Sequence, residues 1–181
     1  MSESTNILST QQPHWLVAYV QPCLEKKTAG RLKAMGIECY LPIQSKVHQW
    51  SDRLKRVDRL VIPMIIFVRV TQQERPLPLT LQAVSRYMIL RGSSAPAVIP
   101  DEQMEKFRFM LDYSEEAVEF CGTPLTPGDS VRVIKGSLAG LEGELLTVEG
   151  HSKVVVRLGM LGWAQVEMKV GFVEKTERKW M

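Results

Sequence analysis

"VRVIKGSLAGLEGELLTV", residues 131–148, sets glycines at 136, 140 and 143 between two runs rich in valine and leucine. That glycine density suits either a phosphate-cradling loop or a turn between strands. A Walker-type loop needs Lys and then Ser or Thr directly after its last glycine, opening a helix whose amides hold the anion. Here Glu144, Leu145 and Leu146 follow instead. A carboxylate repels phosphate, and Gly150 arrives too soon for a helix. Val131 and Val133 alternate with Arg132, and Leu146 and Val148 alternate with Thr147, which is strand periodicity. The stretch therefore reads as strand, turn, strand, with Gly136, Gly140 and Gly143 where the backbone needs positive φ or a close approach of chains.

The flanking sequence continues the pattern. "DSVRVI", "GELLTVEG", "KVVVRLGMLG", "WAQVEM" and "GFVEK" are five short strand-like runs joined by glycine turns. They predict a small five-stranded, SH3-like β-barrel over 127–181, too small for a deep pocket, so that its function is surface binding. Upstream, "DYSEEAVEFCGTPLTPGD" has four carboxylates early and two prolines late. It predicts a linker, placed at 113–126, with a nascent helix in its first half.

Before the linker the signals are mixed. "HWLVAYV", 14–20, is a first strand; Leu24, Thr28, Leu32 and Met35 form one helical stripe, closed by Gly36 at the C′ position. "IECYLP" is extended. From Gln44 to Arg59, Lys46, Arg53, Lys55, Arg56 and Arg59 stand against Asp52 and Asp58, with Trp50 near the middle, which predicts a basic hairpin with an aromatic anchor near its tip. "LVIPMIIFVRV" is a central strand buried on both faces and entered through Pro63. "TQQERPLPLT" reads as a loop, Leu81–Tyr87 as a short helix and "MILRG" as a strand. A final helix is N-capped by Asp101, with Met104, Phe107 and Leu111 on its core face. The expected fold is thus α+β: a disordered 1–13, an α/β sandwich over 14–112, the linker, and the barrel.

Composition narrows the function. With 45% apolar and 24% charged residues, the chain has an ordinary globular balance. The longest apolar run, Val61–Val70, is interrupted by Pro63 and Arg69, and the polar N-terminus lacks the regions of a signal peptide, so a cytoplasmic protein with no membrane partner is expected. Cys23, Cys39 and Cys121 are an odd number without a CxxC pair, and His14, His48 and His151 lie far apart. Neither a disulfide framework, a metal site nor a cofactor is expected. No nucleophile and base pair is visible, and Asp52 and Asp58 are flanked by cations, which favours ion pairing over acid catalysis. A hydrolase using Cys23 or Cys39 would need a thiol-dependent activity. Charge is unevenly spread: 1–112 holds 15 Lys/Arg and 10 Asp/Glu, whereas 113–181 holds 8 and 10. A basic first part and a mildly acidic second part imply two modules with different partners.

Taken in order, a "HWLVAYV" strand, a helix, a basic hairpin, a Pro-containing apolar strand, a linker and the glycine-turn pair resemble a bacterial NusG-family transcription elongation factor, from about His14 to Lys175. Residues 131–148 are similar to the KOW motif. The resemblance implies an N-terminal NGN domain that docks on the clamp coiled coil of the largest RNA polymerase subunit, through an apolar patch including a strand written Phe-Pro-Gly-Tyr-Val-Phe-Val. The corresponding stretch here is Ile62-Pro63-Met64-Ile65-Ile66-Phe67-Val68, so Met64 replaces glycine and Ile65 replaces tyrosine. Those departures, and the linker with its KOW motif, look most like the specialised UpxY-type antiterminators of Bacteroides capsular polysaccharide operons. The implied function is transcription antitermination on one long operon. An RNA- or ribosome-associated KOW protein without polymerase affinity is the alternative.

The implied polymerase contacts are Trp15, Ile62, Pro63, Ile65 and Phe67, for which the plainer reading is core packing. Lys26, Lys27, Arg31 and Lys33 of the first helix, with Lys46, Trp50, Arg53, Lys55 and Arg56 of the hairpin, are candidates for non-template DNA or nascent RNA; their plainer reading is a solvated surface. Leu138 and Leu141, where apolar side chains are hard to bury, are candidates for a ribosomal small-subunit protein or the termination factor Rho, against the alternative of capping the barrel. A monomer is expected.

Overall fold

A computed structural model describes residues 12–50, 53–122, 128–148, 150–169 and 171–176, and for 48–50, 53 and 148 the backbone alone. In chain order the elements are β1 (His14–Val20), α1 (Glu25–Ala34), β2 (Glu38–Tyr40), β3 (Ile43–Trp50), β4 (Arg53–Leu60), β5 (Ile65–Val70), α2 (Pro76–Leu79), β6 (Val84–Tyr87), β7 (Val98–Ile99), α3 (Asp101–Tyr113), β8 (Glu119–Cys121), β9 (Asp129–Val133), β10 (Glu142–Val148), β11 (His151–Leu158), β12 (Gly162–Met168) and β13 (Val173–Lys175). They fall into two compact units, one of residues 1–41 and 63–99, the other of 42–62 and 100–181. These units do not follow linear boundaries at 112 and 127.

The first unit is an antiparallel sheet in the order β2-β5-β1-β6, with β7 also on β1. β5 is internal and its side chains are buried on both faces, as its unbroken apolar sequence predicts. Leu16, Ala18, Val20, Ile66 and Val68 share one face and pack with Ala29 and Leu32 of α1. α1 ends as Gly36 requires: φ is 76°, the Gly36 N–H donates to Lys33 O at 3.0 Å and the Ile37 N–H to Leu32 O at 3.0 Å. This is a Schellman cap, closed by the buried Leu32 and Ile37 side chains. The buried stripe is Glu25, Thr28, Ala29 and Leu32, with Leu24 half-buried and Met35 exposed, so the expected stripe is rotated by about one residue.

Four expectations fail in this region. Leu81–Tyr87 contains a strand, β6, in place of a helix, and the expected loop before it holds the short α2. "MILRG" makes a single bridge, Ile89 to Pro96. Asp101 is not an N-cap: Pro100 takes that position with no side-chain cap, and Asp101 begins α3, where its charge still suits the helix dipole. Met104, Phe107 and Leu111 are buried on α3 as expected, joined by Met110.

In the second unit β3 and β4 form a separate two-stranded antiparallel ribbon. The C-terminal strands form one antiparallel sheet, β13-β9-β10-β11-β12-β8. It has six strands rather than five, because β8 emerges from the expected linker, and among the described residues no pairing joins β13 to β8 to close it. Gly140 has φ 93° and donates its N–H to Val133 O at 2.8 Å, closing the turn between β9 and β10. A Cβ at Gly143 would press on Val155 O of β11. Both glycines therefore serve the geometry that the sequence implied.

Candidate functional site

The Pro63–Met64 turn is built by its neighbours. Pro63 fixes its own φ and lacks an N–H, so the chain enters β5 through a turn. Met64 takes φ 62°, a left-handed conformation that costs a non-glycine residue about 1–2 kcal/mol. Two backbone contacts hold it there. The Val20 N–H donates to Met64 O at 2.8 Å, and the Met64 N–H donates to Glu25 Oε1 at 3.1 Å. Glu25 is only 4% exposed. It sits in the first turn of α1, where the positive end of the helix dipole favours a carboxylate. The Met64 side chain is 46% exposed, beside an exposed Pro63.

The remaining apolar candidates lie inside. Trp15, Ile62 and Ile65 are 4%, 4% and 7% exposed and Phe67 is fully buried, with Tyr40 at 6.4 Å between ring centroids. Of the five expected polymerase contacts only Pro63 faces solvent in this conformation. Met64, which the sequence marks as a departure, is the exposed apolar group of the motif. Its signal was there to find: a non-glycine residue aligned with a family glycine is a residue under backbone constraint.

The ribbon carries the second group. Its register pairs Gln44 with Arg59, Lys46 with Val57, and Val47 with Arg56. Directly paired residues share a face and successive residues alternate. Gln44, Lys46, Lys55, Val57 and Arg59 therefore lie on one face, and Ser45, Val47, Leu54, Arg56 and Asp58 on the other. The second face holds an internal hydrogen bond, Ser45 Oγ to Asp58 Oδ1 at 2.7 Å, and exposed Val47 and Leu54. The structure thus separates Arg56 from Lys46 and Lys55, and adds Arg59. Arg53 pairs with Trp50 at the end of the ladder; their side chains lie outside the described residues. Lys26, Lys27, Arg31 and Lys33 are all exposed on α1, in the other unit.

The base of the ribbon is anchored by Gln44, which is 2% exposed. Its Nε2 donates to Glu116 O at 2.7 Å and Ser114 O at 3.4 Å, and its Oε1 accepts the Val118 N–H at 3.0 Å. One side chain therefore satisfies three backbone groups that no strand serves. The following strand, β8, pairs with β12, and Glu119 accepts from Gln165 at 2.9 Å and Lys153 at 3.3 Å. Those hydrogen bonds hold the Glu119 carboxyl below the usual glutamate range. Half of the expected linker is thus fixed; 123–127 lie outside the described residues.

Leu138 and Leu141 are 4% and 3% exposed, which corrects the expectation of a presented apolar tip. The turn that carries them is folded into its own unit, and Leu141 shares an apolar recess with Phe109 and Ala139. A larger cavity of about 620 Å³ lies between α3 and the strands β9–β11, but its charges are matched. Lys106 pairs with Glu102 at 2.6 Å, Arg132 with Glu142, and Arg157 with Glu144, so the cavity has no excess charge to attract an ion. Cys39 is no nucleophile of the activated kind: burial pushes its thiol up, and its Sγ donates to Ala29 O at 3.6 Å. Among the described residues no cluster of His, Cys, Asp or Glu could hold a metal, and no helix is long and apolar enough to cross a membrane.

A family model described as "Transcription termination factor nusG" matches residues 13–108, more than half of the chain. The chain belongs to the NusG family. Among solved structures, that described as "Domain interaction in Thermotoga maritima NusG" is similar over 93% of this chain and 99% of its own, at 18% identity and a TM-score of 0.51. The MjSpt4:Spt5 complex, conformation A, aligns over 91% of this chain and 99% of its own at 15% identity, with a TM-score of 0.30. No curated protein matches the chain. The NusG family consists of transcription factors rather than enzymes. The matched span includes the Pro63–Met64 turn, the ribbon and most of α3, so both exposed groups belong to the NusG-like part of the chain.

Proposed function

We propose that this NusG-family chain is an antitermination factor that binds RNA polymerase and carries it through a specific long operon, of the kind that encodes polysaccharide synthesis. The observation that carries this reading is the exposed Met64, held in a glycine conformation in the turn that enters β5, the stretch for which the family resemblance implies a polymerase contact. A side chain kept at that backbone cost, half in solvent, fits a contact residue better than a packing residue. Ile65 and Phe67 then lie buried on the strand that leads from the turn, Trp15 packs at the far end of the same ladder opposite Arg69, and Pro63 and Met64 make the apolar contact with the clamp coiled coil. Binding of this kind suppresses pausing only if the elongating state is bound more tightly than the paused one. In this reading residues 14–112 form the polymerase-binding NGN domain, 113–126 join it to a KOW-type domain at 127–181, and the C-terminal domain selects further factors such as a ribosomal protein or Rho.

The test is capture of core RNA polymerase by the full chain and by a Met64→Asp variant. Aspartate tolerates left-handed backbone well, so the variant keeps its fold, verified by circular dichroism. Burying a carboxylate against an apolar partner is expected to weaken capture at least about tenfold. Substituting the buried Ile62 or Ile65 would disturb the core instead. Equal capture by both proteins removes Met64 from the interface. Failure of the wild-type chain to capture polymerase, together with tight RNA binding, would favour the RNA-associated alternative, to which the cationic ribbon lends support.

A further inference from the structure

Pro63 and Met64 are the turn residues that lead into β5, and Met64 is the one at positive φ. A proline followed by a left-handed residue is the signature of a type II turn, whose second central position asks for glycine or asparagine. The same chain can close a type I turn instead, in which that position takes φ of about −90° and suits methionine. The two forms differ chiefly by a half-rotation of the central peptide plane, here the plane that joins Pro63 to Met64. Left to its own preferences, a Pro-Met pair takes the type I form, because left-handed backbone is costly for any residue with a β-carbon. We infer that Glu25 is the positioning residue of this turn, a latch that sets which way the Pro63–Met64 plane faces and therefore where the Met64 side chain is displayed. As a statement about polymerase this rests on the reading of Met64 as the contact residue; as a statement about the turn it stands alone.

Glu25 grips the plane that would turn. The Met64 N–H belongs to that plane and donates to Glu25 Oε1 at 3.1 Å. A half-rotation carries the N–H to the opposite side of the chain, away from the carboxylate. The other backbone contact does not discriminate between the two forms. The Val20 N–H donates to Met64 O at 2.8 Å, and that carbonyl belongs to the next plane, between Met64 and Ile65, which keeps its orientation in both. Glu25 is also mounted to hold its position. It opens α1, whose Thr28, Ala29 and Leu32 are buried with it, so the carboxylate is carried by a packed helix rather than by a loop. A carboxylate that is only 4% exposed needs donors, so the hydrogen bond satisfies Glu25 as it fixes the turn. In the latched form the Met64 side chain stands 46% exposed.

The latch is measured without polymerase. In the type II form the Pro63 Hα lies close to the Met64 amide proton, and in the type I form it lies away from it. Their nuclear Overhauser cross-peak, recorded on the full chain, therefore reports the orientation of the plane. The expected result is a strong cross-peak in the wild type, a strong one in Glu25→Gln, whose amide oxygen still accepts, and a weak one in Glu25→Ala. Adding Met64→Gly to Glu25→Ala should restore the strong cross-peak, because glycine takes left-handed backbone without help. A strong cross-peak in Glu25→Ala alone overturns the latch, and so does a weak one in the double variant. Should Glu25→Ala fail to fold, the double variant decides: a folded protein with the strong cross-peak supports the latch, and a second failure to fold makes Glu25 a core residue and overturns it. Capture of core RNA polymerase is then scored on the same proteins. If the latched turn falls below about a tenth of the population in Glu25→Ala, capture weakens at least about tenfold, and Glu25→Gln restores it to within about threefold of the wild type. The expected cross-peaks with undiminished capture by Glu25→Ala would leave the latch standing and remove Met64 from the interface, so the two conclusions fail separately.

Discussion

Met64 joins two demands in one residue: its backbone wants glycine, and its exposed side chain wants a partner. Met64→Gly releases the left-handed strain but makes the unfolded chain more flexible, and the first effect is the larger, so a gain of about 0.5–1 kcal/mol in urea unfolding is expected. The same variant should lose polymerase capture if the side chain is the contact. A protein that becomes more stable and less active would place the cost of strain with the function. The alignment of Pro63-Met64 against Pro-Gly was legible in the sequence, but the φ angle was not. Nor was Glu25, because a carboxylate on a helix is read as solvent-facing unless the amide it accepts from, 39 residues away, is already known. Trp15, Ile62, Ile65, Leu138 and Leu141 show the same limit from the other side. Apolar letters state a preference for burial but not whether the protein itself or a partner supplies it.

At the scale of elements, Gln44 shows how a linker becomes structure. Gln44→Leu keeps the volume but strands the Val118 N–H and removes the donor to the Ser114 carbonyl, while the Glu116 carbonyl keeps the Ser114 hydroxyl at 2.8 Å. We expect a loss of about 2–3 kcal/mol, and, more specifically, fast hydrogen exchange at the Val118 amide while the β11–β12 amides remain protected. Retained protection at Val118 would mean that the segment is held by other contacts. Strands β1 and β5 were readable as unbroken apolar runs, and the C-terminal set because glycine turns mark off its short alternating runs. β6 was not, for a physical reason. Its pairing with β1 slips between Tyr19 and Val20, so that Val20 faces Val84 while Tyr19 faces Arg86, and Ser85 is an extra residue. The bulge puts the buried Val84 and Tyr87 three apart, which is the spacing of a helical stripe. β8 was hidden too, since three residues carry no period at all.

For the whole molecule, acid stability follows from the C-terminal sheet. Hydrogen bonds from Gln165 and Lys153 lower Glu119, and one from Arg132 lowers Glu142. Both carboxylates therefore bind protons more readily in the unfolded chain, so their stabilisation is complete above the usual glutamate value and disappears as pH falls through their lowered folded values. Both are largely exposed, and each contributes no more than about 0.5–1 kcal/mol. Urea midpoints should be flat from pH 7 to about 5 and fall below about 4.5. Glu119→Gln with Glu142→Gln should flatten that fall, and an unchanged acid limb would remove these pairs from the account. The compact units could not be read from composition, because the grouping of 42–62 with 100–181 rests on contacts made far along the chain.

Among the described residues the C-terminal sheet ends on β13 and β8, each of three residues, the first containing Glu174 and Lys175 and the second Glu119. An open sheet normally offers its outer rows of amides and carbonyls to any passing strand, and short, charged borders are how soluble proteins refuse that offer. A sheet with these borders can remain open and still stay solitary, free to meet its partners through side chains rather than through backbone.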